Sequence, residues 1–189
     1  MLVGLGTFTI GSHERVYAVG PIEPDVFQIG PTGWMPNNLR LPILLDRGAI
    51  AIVGDDPPSA FEAVFDRIGW PSAWRNGVYP FHHYHSTAHE VLGFAGGTAR
   101  LALGEPGGHE LTVRAGDVAL LPAPERATAA WKRVRTFSSS EPIPLGQKPD
   151  LSRSAAPPQM LARIASLPFP PTDPVAGTGG PTRTLWHAA

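Results

Sequence analysis

Glycine and proline constrain the fold of this chain most, because 21 glycines and 22 prolines are spread over its 189 residues. Glycine destabilises helix interiors and proline breaks them, so a predominantly helical fold is excluded. Short apolar runs lie between these turn-forming residues. The pattern predicts a turn-rich β protein rather than a disordered chain.

Five short apolar runs separated by glycine-containing turns make up the predicted β core, and three earlier runs add to it. The core runs are residues 78–85, 90–95, 99–103, 110–113 and 118–121. The earlier runs are residues 26–29, 41–45 and 49–53. Short strands joined by glycine turns at this pitch predict an all-β sandwich or barrel.

Residues 59–69 depart from the β pattern. Their apolar side chains repeat at helical spacing, at Phe61, Val64, Phe65 and Ile68. We therefore expect a helix that is capped by Ser59 and packs on the outside of a sheet.

The C-terminal part differs in composition from the β core. Residues 157–167 predict a second short helix, and the proline- and glycine-rich residues 168–181 predict an extended arm whose end Trp186 anchors by packing. The predicted organisation is an N-terminal extension over 1–21, a β domain over 22–146 that is a sandwich or barrel, and a C-terminal helix and arm over 147–189.

Composition excludes several classes of function. The chain has no cysteine, which rules out disulfides, thiolate zinc sites and cysteine nucleophiles. Its formal net charge is −1 without a block of like charge, so no nucleic-acid partner is expected. The sequence contains no apolar run of membrane-spanning length and no pattern of a signal peptide at its start, which predicts a cytoplasmic protein without a membrane partner.

Four of the seven histidines fall within eight positions, and Glu90 follows directly. His83 and His85 are two residues apart, so in a strand both side chains point to one face. Two imidazoles and a carboxylate from adjacent strands form a set that binds a divalent metal ion. The sequence therefore predicts His83, His85 and Glu90 as metal ligands.

Side chains alternate between the two faces of a strand, so the other polar residues of this segment are predicted to point away from the ligands. His82 and Tyr84 face away from the predicted ligands, and His89 lies in or beside the turn. Tyr84 and His89 are the candidates for catalytic proton transfer, and His82 for support of the ligands. The alternative for the whole segment is a histidine-rich strand on a wet surface, or histidines that are satisfied in a polar core.

The spacing of Gly77, His83, His85, Glu90 and Gly97 resembles the first motif of the cupin superfamily. Residues 116–122 resemble the start of the second cupin motif. Residues 81–93 are similar to a narrower branch of small single-domain bacterial cupins of unassigned activity. The resemblance implies a double-stranded β-helix (jelly-roll) barrel, a fourth metal ligand from a histidine in the second motif, and a homodimer paired through sheet edges.

The second motif departs from the family pattern. It should continue as Pro-x-Gly-x-x-His, but Pro124 stands in place of the glycine and Ala127 in place of the histidine. Serines at 138–140 are unfavourable in a buried strand. We therefore expect residues 124–146 to form a loop, and metal binding to be weak if it occurs.

Two compensating frame errors would explain this segment. If Glu125 to Thr128 are read one nucleotide out of the true frame, their codons are compatible with Gly-Thr-Gly-His, which restores the motif. If the serines at 138–140 use TCN codons, the shifted codons there encode only Phe, Leu, Ile or Val. Sequencing the coding DNA tests this hypothesis.

Three functions remain open from the sequence. The first is a metal-dependent cupin enzyme, an oxygenase, isomerase or decarboxylase that uses Fe, Mn, Ni or Zn on a small polar molecule. The second is a non-catalytic cupin that binds a small ligand. The third is an inactive homologue with a damaged metal site.

Overall fold

Antiparallel strands dominate the structure, a computed structural model that describes residues 6–10, 14–18, 23–30, 33–52, 54–104, 109–124, 127–130 and 138–187. The strands are β1 (Gly6–Ile10), β2 (Glu14–Ala18), β3 (Asp25–Phe27), β4 (Ile43–Asp46), β5 (Ser72–Asn76), β6 (Glu90–Gly96), β7 (Thr98–Leu103), β8 (His109–Arg114), β9 (Val118–Leu121), β10 (Ala127–Ala130) and β11 (Ser138–Pro142). The helices are α1 (Pro57–Arg67), α2 (Pro158–Ala165) and α3 (Pro181–His187). The all-β class predicted from the sequence is confirmed.

The strands form three sheets. Six strands lie in the order β3-β4-β9-β6-β11-β5, three lie in the order β10-β7-β8, and β1 pairs with β2 as a hairpin. Every pairing is antiparallel. The six-stranded and three-stranded sheets share one apolar core, to which β4, β6 and β9 contribute from one side and β7 and β8 from the other.

Strand alternation divides the apolar residues of the six-stranded sheet between two cores. On β6, Leu92 and Phe94 face the three-stranded sheet. Val91 and Ala95 face the opposite way, into an outer core with α1. Gly93 lets α1 lie close, because a Cβ atom there would come within 2.5 Å of Phe61 Cδ1. Helix α1 thus packs on the outside of the sheet, as its periodicity predicts.

Helix α1 begins earlier than the sequence indicates. It starts at Pro57, and the predicted cap Ser59 lies inside its first turn, where the Ser59 backbone N–H donates to the Asp56 carbonyl at 3.1 Å. Proline is favoured at a helix start because its missing N–H has no helical partner there. The capping role predicted for Ser59 is therefore wrong.

Two predicted strands are absent among the described residues. Residues 78–85 form no strand, and Tyr84 alone makes an isolated bridge, to Ser152. Pro80 lacks the N–H that a sheet position requires. Of residues 49–52, Ile50 makes a backbone hydrogen bond to Gly116 but no strand forms; residue 53 lies outside the described part of the chain.

The loop predicted over residues 124–146 is wrong for residues 127–130 and 138–142, which form strands, whereas residues 143–146 do form a loop. Strand β10 pairs with β7, and β11 lies between β6 and β5, in the interior of the six-stranded sheet. The unpaired backbone groups of β5 and β6 need hydrogen-bond partners, and this requirement outweighs the low strand propensity of serine. Residues 125–126 and 131–137 lie outside the described part of the chain.

The C-terminal part packs against the body of the protein. Helix α2 forms within residues 157–167, where a helix was predicted, and it has no buried residue. Helix α3 places Trp186 in the outer core beside α1. The Trp186 indole N–H donates to the Pro42 carbonyl at 2.9 Å. Within the described ranges, no helix combines the length and apolar character needed to cross a membrane.

Candidate metal centre

The three predicted ligands lie where the chain enters β6. Glu90 is the first residue of this strand, and alternation with Leu92 and Phe94 directs its side chain between the two sheets. His83 and His85 lie in the segment just before it, and all three side chains are buried. Buried polar side chains of this kind require partners, so their contacts define the site.

His85 is held by a carbonyl on one side of its ring and faces a carboxylate on the other. Its Nδ1 contacts the backbone carbonyl oxygen of Asp150, and its Nε2 lies 3.6 Å from Glu90 Oε1. A carbonyl only accepts, so the Nδ1 atom must carry a proton. Nε2 is buried and makes no hydrogen bond. Metal-bound histidines have this arrangement, with one nitrogen fixed by a carbonyl and the other directed at the ion.

The charge of Glu90 dominates the electrostatics of this pair. Burial lowers the pKa of His85, but the Glu90 carboxylate and the Asp150 carbonyl outweigh burial and raise the pKa to about 9. In the absence of an ion, a proton between the two side chains neutralises the carboxylate. The site therefore favours positive charge at the position between Nε2 and Oε1.

His83, the third predicted ligand, packs against the ring of His85. Its ring centroid lies 5.2 Å from that of His85, in an edge-on arrangement. Its Nδ1 is 3.4 Å from the Phe81 carbonyl, and its ring also packs edge-on against Tyr79. The structure thus places His83 beside His85 and His85 beside Glu90, although residues 78–85 are not the strand from which their common orientation was argued.

The geometry fits a divalent ion only in part. Ligand bonds of about 2.1 Å at tetrahedral or octahedral angles place two donors roughly 3.0–3.4 Å apart, close to the separation of His85 and Glu90. However, no group of three or more His, Cys, Asp or Glu side chains within the described ranges is already spaced to hold an ion. The orphaned Nε2 of His85 and its facing carboxylate are the features that suit a metal.

Tyr84 points away from the predicted ligands. Its hydroxyl donates to the Ser154 carbonyl at 3.0 Å and lies 3.1 Å from Met160 Sδ, and its ring is 6.1 Å from that of Trp34. These contacts direct Tyr84 to the C-terminal segment. The proton-transfer role predicted for it does not follow from this placement, which indicates that Tyr84 anchors that segment.

His89 also faces the other side of the sheet. Its Nδ1 accepts the Ala123 backbone N–H at 3.1 Å, and its ring lies 5.0 Å from that of Trp186 in the outer core. Burial lowers the pKa of His89 to about 4, against a smaller opposing effect of the Pro168 carbonyl. His89 is therefore a neutral ring on the face opposite Glu90, and its placement lends no support to the predicted catalytic role.

Asp150 is a structural determinant of the site that the sequence analysis missed. Its carboxylate accepts the Ser86 backbone N–H at 2.6 Å, the Ser86 hydroxyl, and the Thr87 hydroxyl at 3.0 Å. Burial opposes ionisation, but these hydrogen bonds prevail and lower the pKa of Asp150. Arg163 of α2 also donates to the Ser86 hydroxyl, at 2.7 Å. Asp150 lies 64 residues after Ser86, so no motif or periodicity around the histidines could have indicated its role.

Replacing Asp150 with alanine is expected to lower the free energy of unfolding by about 2 kcal/mol, because charge-assisted hydrogen bonds to Ser86 and Thr87 are lost. The change also loosens the backbone carbonyl that fixes His85. We expect the pKa of the His85 ring to fall, because the Asp150 carbonyl and carboxylate contribute to raising it, and a pH titration followed by long-range ¹H–¹⁵N NMR measures the change. Lys148→Ala, at an exposed neighbouring position, is the matched control. An unchanged pKa of His85 would contradict the positioning role.

Comparison with known proteins gives one relative and no family. The chain is 26% identical over 170 residues to the uncharacterized protein YjlB of Bacillus subtilis (strain 168), a match that covers 87% of this chain and 97% of the relative. No protein-family model and no solved structure matches the chain. The similarity spans nearly the whole of both chains, and the name of the relative states no activity.

Proposed function

We propose that this protein is a metal-dependent cupin enzyme in which His83, His85 and Glu90 hold a divalent ion and a small polar molecule is the substrate. The spacing of these residues resembles the first cupin motif. The two antiparallel sheets with a common core are compatible with a jelly-roll barrel. Fe, Mn, Ni and Zn are the metals that suit two imidazoles and a carboxylate.

The orientation of His85 is the observation that carries the proposal. A carbonyl holds the ring through Nδ1 and thereby directs a buried Nε2 at a buried carboxylate 3.6 Å away. Without an ion this pair depends on a shared proton, and the separation is longer than that of a normal hydrogen bond. A divalent ion satisfies Nε2 and the Glu90 carboxylate together.

Three ligands from one segment leave coordination positions for a substrate. Ala127, where the resemblance calls for a fourth ligand, lies in β10 opposite Leu103 and carries no donor atom. Two histidines and a carboxylate without a fourth protein ligand form the set used by non-haem iron oxygenases. The damaged second motif is thus compatible with a working centre.

The protein's own residues would position the substrate beside this centre. Tyr79 and Phe81 stack with centroids 5.0 Å apart, His83 packs on both rings, and the Arg153 guanidinium lies over Phe81 at 4.3 Å. These half-buried rings form an aromatic wall next to the ligands. A bound ion would supply Lewis-acid or redox chemistry, and the fold does not choose among oxygenase, isomerase and decarboxylase reactions.

Metal content tests the proposal directly. The protein purified after growth with Fe, Mn, Ni and Zn is expected to carry about one ion per chain by mass spectrometry, and His85→Ala to retain less than about a tenth of it, because loss of one of three ligands costs several kcal/mol of binding. His109→Ala, at an exposed histidine of β8, is the control and should retain the metal.

Two results would contradict the proposal. Equal metal content in the wild type and His85→Ala would place the ion elsewhere. A wild-type protein that stays metal-free after incubation with each ion, while it melts cooperatively, would favour a non-catalytic ligand-binding protein instead.

A further inference from the structure

A cavity lies on the face of the six-stranded sheet opposite the candidate metal centre. It has a volume of about 200 Å³ and is formed by the turn at residues 36–41, His89, Pro124 and the segment from α2 to Phe169. His89 reaches it on the side of Trp186, away from Glu90. We propose that this cavity binds a small carboxylate with a short apolar chain.

His89 lines the cavity and holds a buried hydrogen-bond donor at the cavity wall. Its Nδ1 accepts the Ala123 N–H, so the ring proton resides on Nε2. The ring is 2% exposed, and Nε2 makes no hydrogen bond. The Pro168 carbonyl near the ring accepts the Gln147 side-chain amide at 3.0 Å and makes no well-aligned hydrogen bond with Nε2. A buried donor without a well-aligned acceptor is unfavourable, and an oxygen atom of a ligand relieves it.

Arg40 supplies positive charge at the rim of the cavity. Its side chain is exposed, lies over the Phe169 ring at 5.4 Å, and forms no ion pair with any carboxylate of the described residues. The turn that carries Arg40 is held in place by Asn38, whose Oδ1 accepts the backbone N–H groups of Arg40 and Leu41 and whose Nδ2 donates to the Ala123 carbonyl. The cation is therefore carried on a fixed backbone.

The remaining walls are apolar and come largely from α2 and the residues after it: Leu161, Ile164, Leu167 and Phe169. A donor, a cation and apolar walls together select an anion that has acceptor oxygens and a hydrocarbon part. A guanidinium pairs well with a planar carboxylate. Because an engineered cavity of about 150 Å³ holds benzene, this one accommodates roughly six to ten non-hydrogen atoms.

Hexanoate is a suitable probe, with hexylamine and hexan-1-ol as ligands of the same length but different charge. We expect hexanoate to bind the full-length protein with a dissociation constant on the order of 1 mM, typical of a ligand of this size. Long-range ¹H–¹⁵N NMR should show a saturable shift of His89 Nε2. The amine should not bind, since Arg40 repels it, and the alcohol should bind about tenfold more weakly because it lacks the charge.

Three variants locate the binding. Arg40→Met keeps the apolar stem and should weaken hexanoate binding about tenfold, whereas Arg183→Met, at an exposed arginine of α3, should leave it unchanged. Ile164→Trp should fill the cavity and abolish binding, with thermal melting used to confirm that the variant is folded. His85→Ala should bind hexanoate like the wild type, which separates this site from the candidate metal centre.

Several outcomes would overturn the inference. The first is the absence of a saturable shift of His89 Nε2 up to about 50 mM hexanoate, which is some fifty times the expected dissociation constant. The second is equal binding of all three probes. The third is unchanged hexanoate binding in Arg40→Met. Loss of binding in His85→Ala with no effect of Ile164→Trp would place the ligand between the sheets instead.

Discussion

Replacing Trp186 with alanine is expected to lower the free energy of unfolding by about 3–5 kcal/mol, the range for buried tryptophan and phenylalanine truncations. Trp186 is fully buried in the outer core, where it packs with α1 and β6, and its indole N–H donates to Pro42. The truncation leaves a large cavity and an unsatisfied carbonyl. The midpoint of urea unfolding measures the loss.

The neighbouring residue provides the control for this prediction. His187 is exposed on the same helix, so His187→Ala should change the unfolding free energy by less than about 0.5 kcal/mol. If Trp186→Ala prevents folding, Trp186→Phe provides a milder test. It keeps an aromatic ring and loses the hydrogen bond to Pro42, at a cost of about 1–3 kcal/mol. A loss under about 1 kcal/mol for the alanine variant would show that α3 contributes little to the core.

Asp46→Asn is expected to stabilise the protein at neutral and alkaline pH. Asp46 lies in β4 and is 3% exposed. Burial, with a smaller contribution from the charge of Asp173, raises its pKa from its ordinary value near 3.8 to about 7. Asp173 itself accepts hydrogen bonds from the backbone N–H groups of Val175, Ala176 and Thr182 and from the Thr182 hydroxyl. These bonds fix the position of the Asp173 carboxylate near Asp46.

The raised pKa makes stability fall as pH rises. Below about pH 4 both the folded and the unfolded states hold the proton, and Asp46 adds no pH dependence. Between about pH 4 and pH 7 the unfolded state releases the proton while the folded state retains it, so unfolding becomes more favourable. Above about pH 7 the penalty is complete, at roughly 4 kcal/mol for the stated rise in pKa. Asparagine removes the charge and with it this penalty.

Thermal melting at two pH values measures the effect. The difference between Asp46→Asn and the wild type should be large at about pH 8 and small at about pH 4. Asp55→Asn, at an exposed aspartate before α1, should show no such difference between the two pH values. If Asp46→Asn stabilises the protein equally at the two pH values, Asp46 is not protonated in the folded protein at low pH.

The strands found from the sequence are short apolar runs bounded by glycine turns. β6 and β9 are almost wholly apolar because both faces of the six-stranded sheet are buried there, whereas β7 and β8 alternate because one face alone is buried. Helix α1 was found for the same kind of reason, since one of its faces is buried against β6. Its start was misplaced by two residues because Ser59 and Pro57 are both acceptable near a helix start.

The residues that the sequence analysis missed depend on contacts between distant segments. Strand β11 forms from serines because β5 and β6 leave a row of backbone groups that need partners. Asp150 positions the histidine segment from more than 60 residues downstream. Neither follows from propensity or periodicity, which describe a residue by its neighbours in the chain.

The sequence by itself determined the all-β class, the outer helix and the identity of the three candidate ligands, because strand and helix periods and the chemistry of imidazole and carboxylate are local properties. Only the tertiary structure decided how those ligands are oriented. It directs His85 Nε2 at Glu90 through the Asp150 carbonyl, and it directs His89 to a separate cavity on the opposite face of the sheet. The physical reason is that the orientation of a histidine ring is fixed by hydrogen bonds from distant segments of the chain. The position of the histidine in the sequence does not determine that orientation.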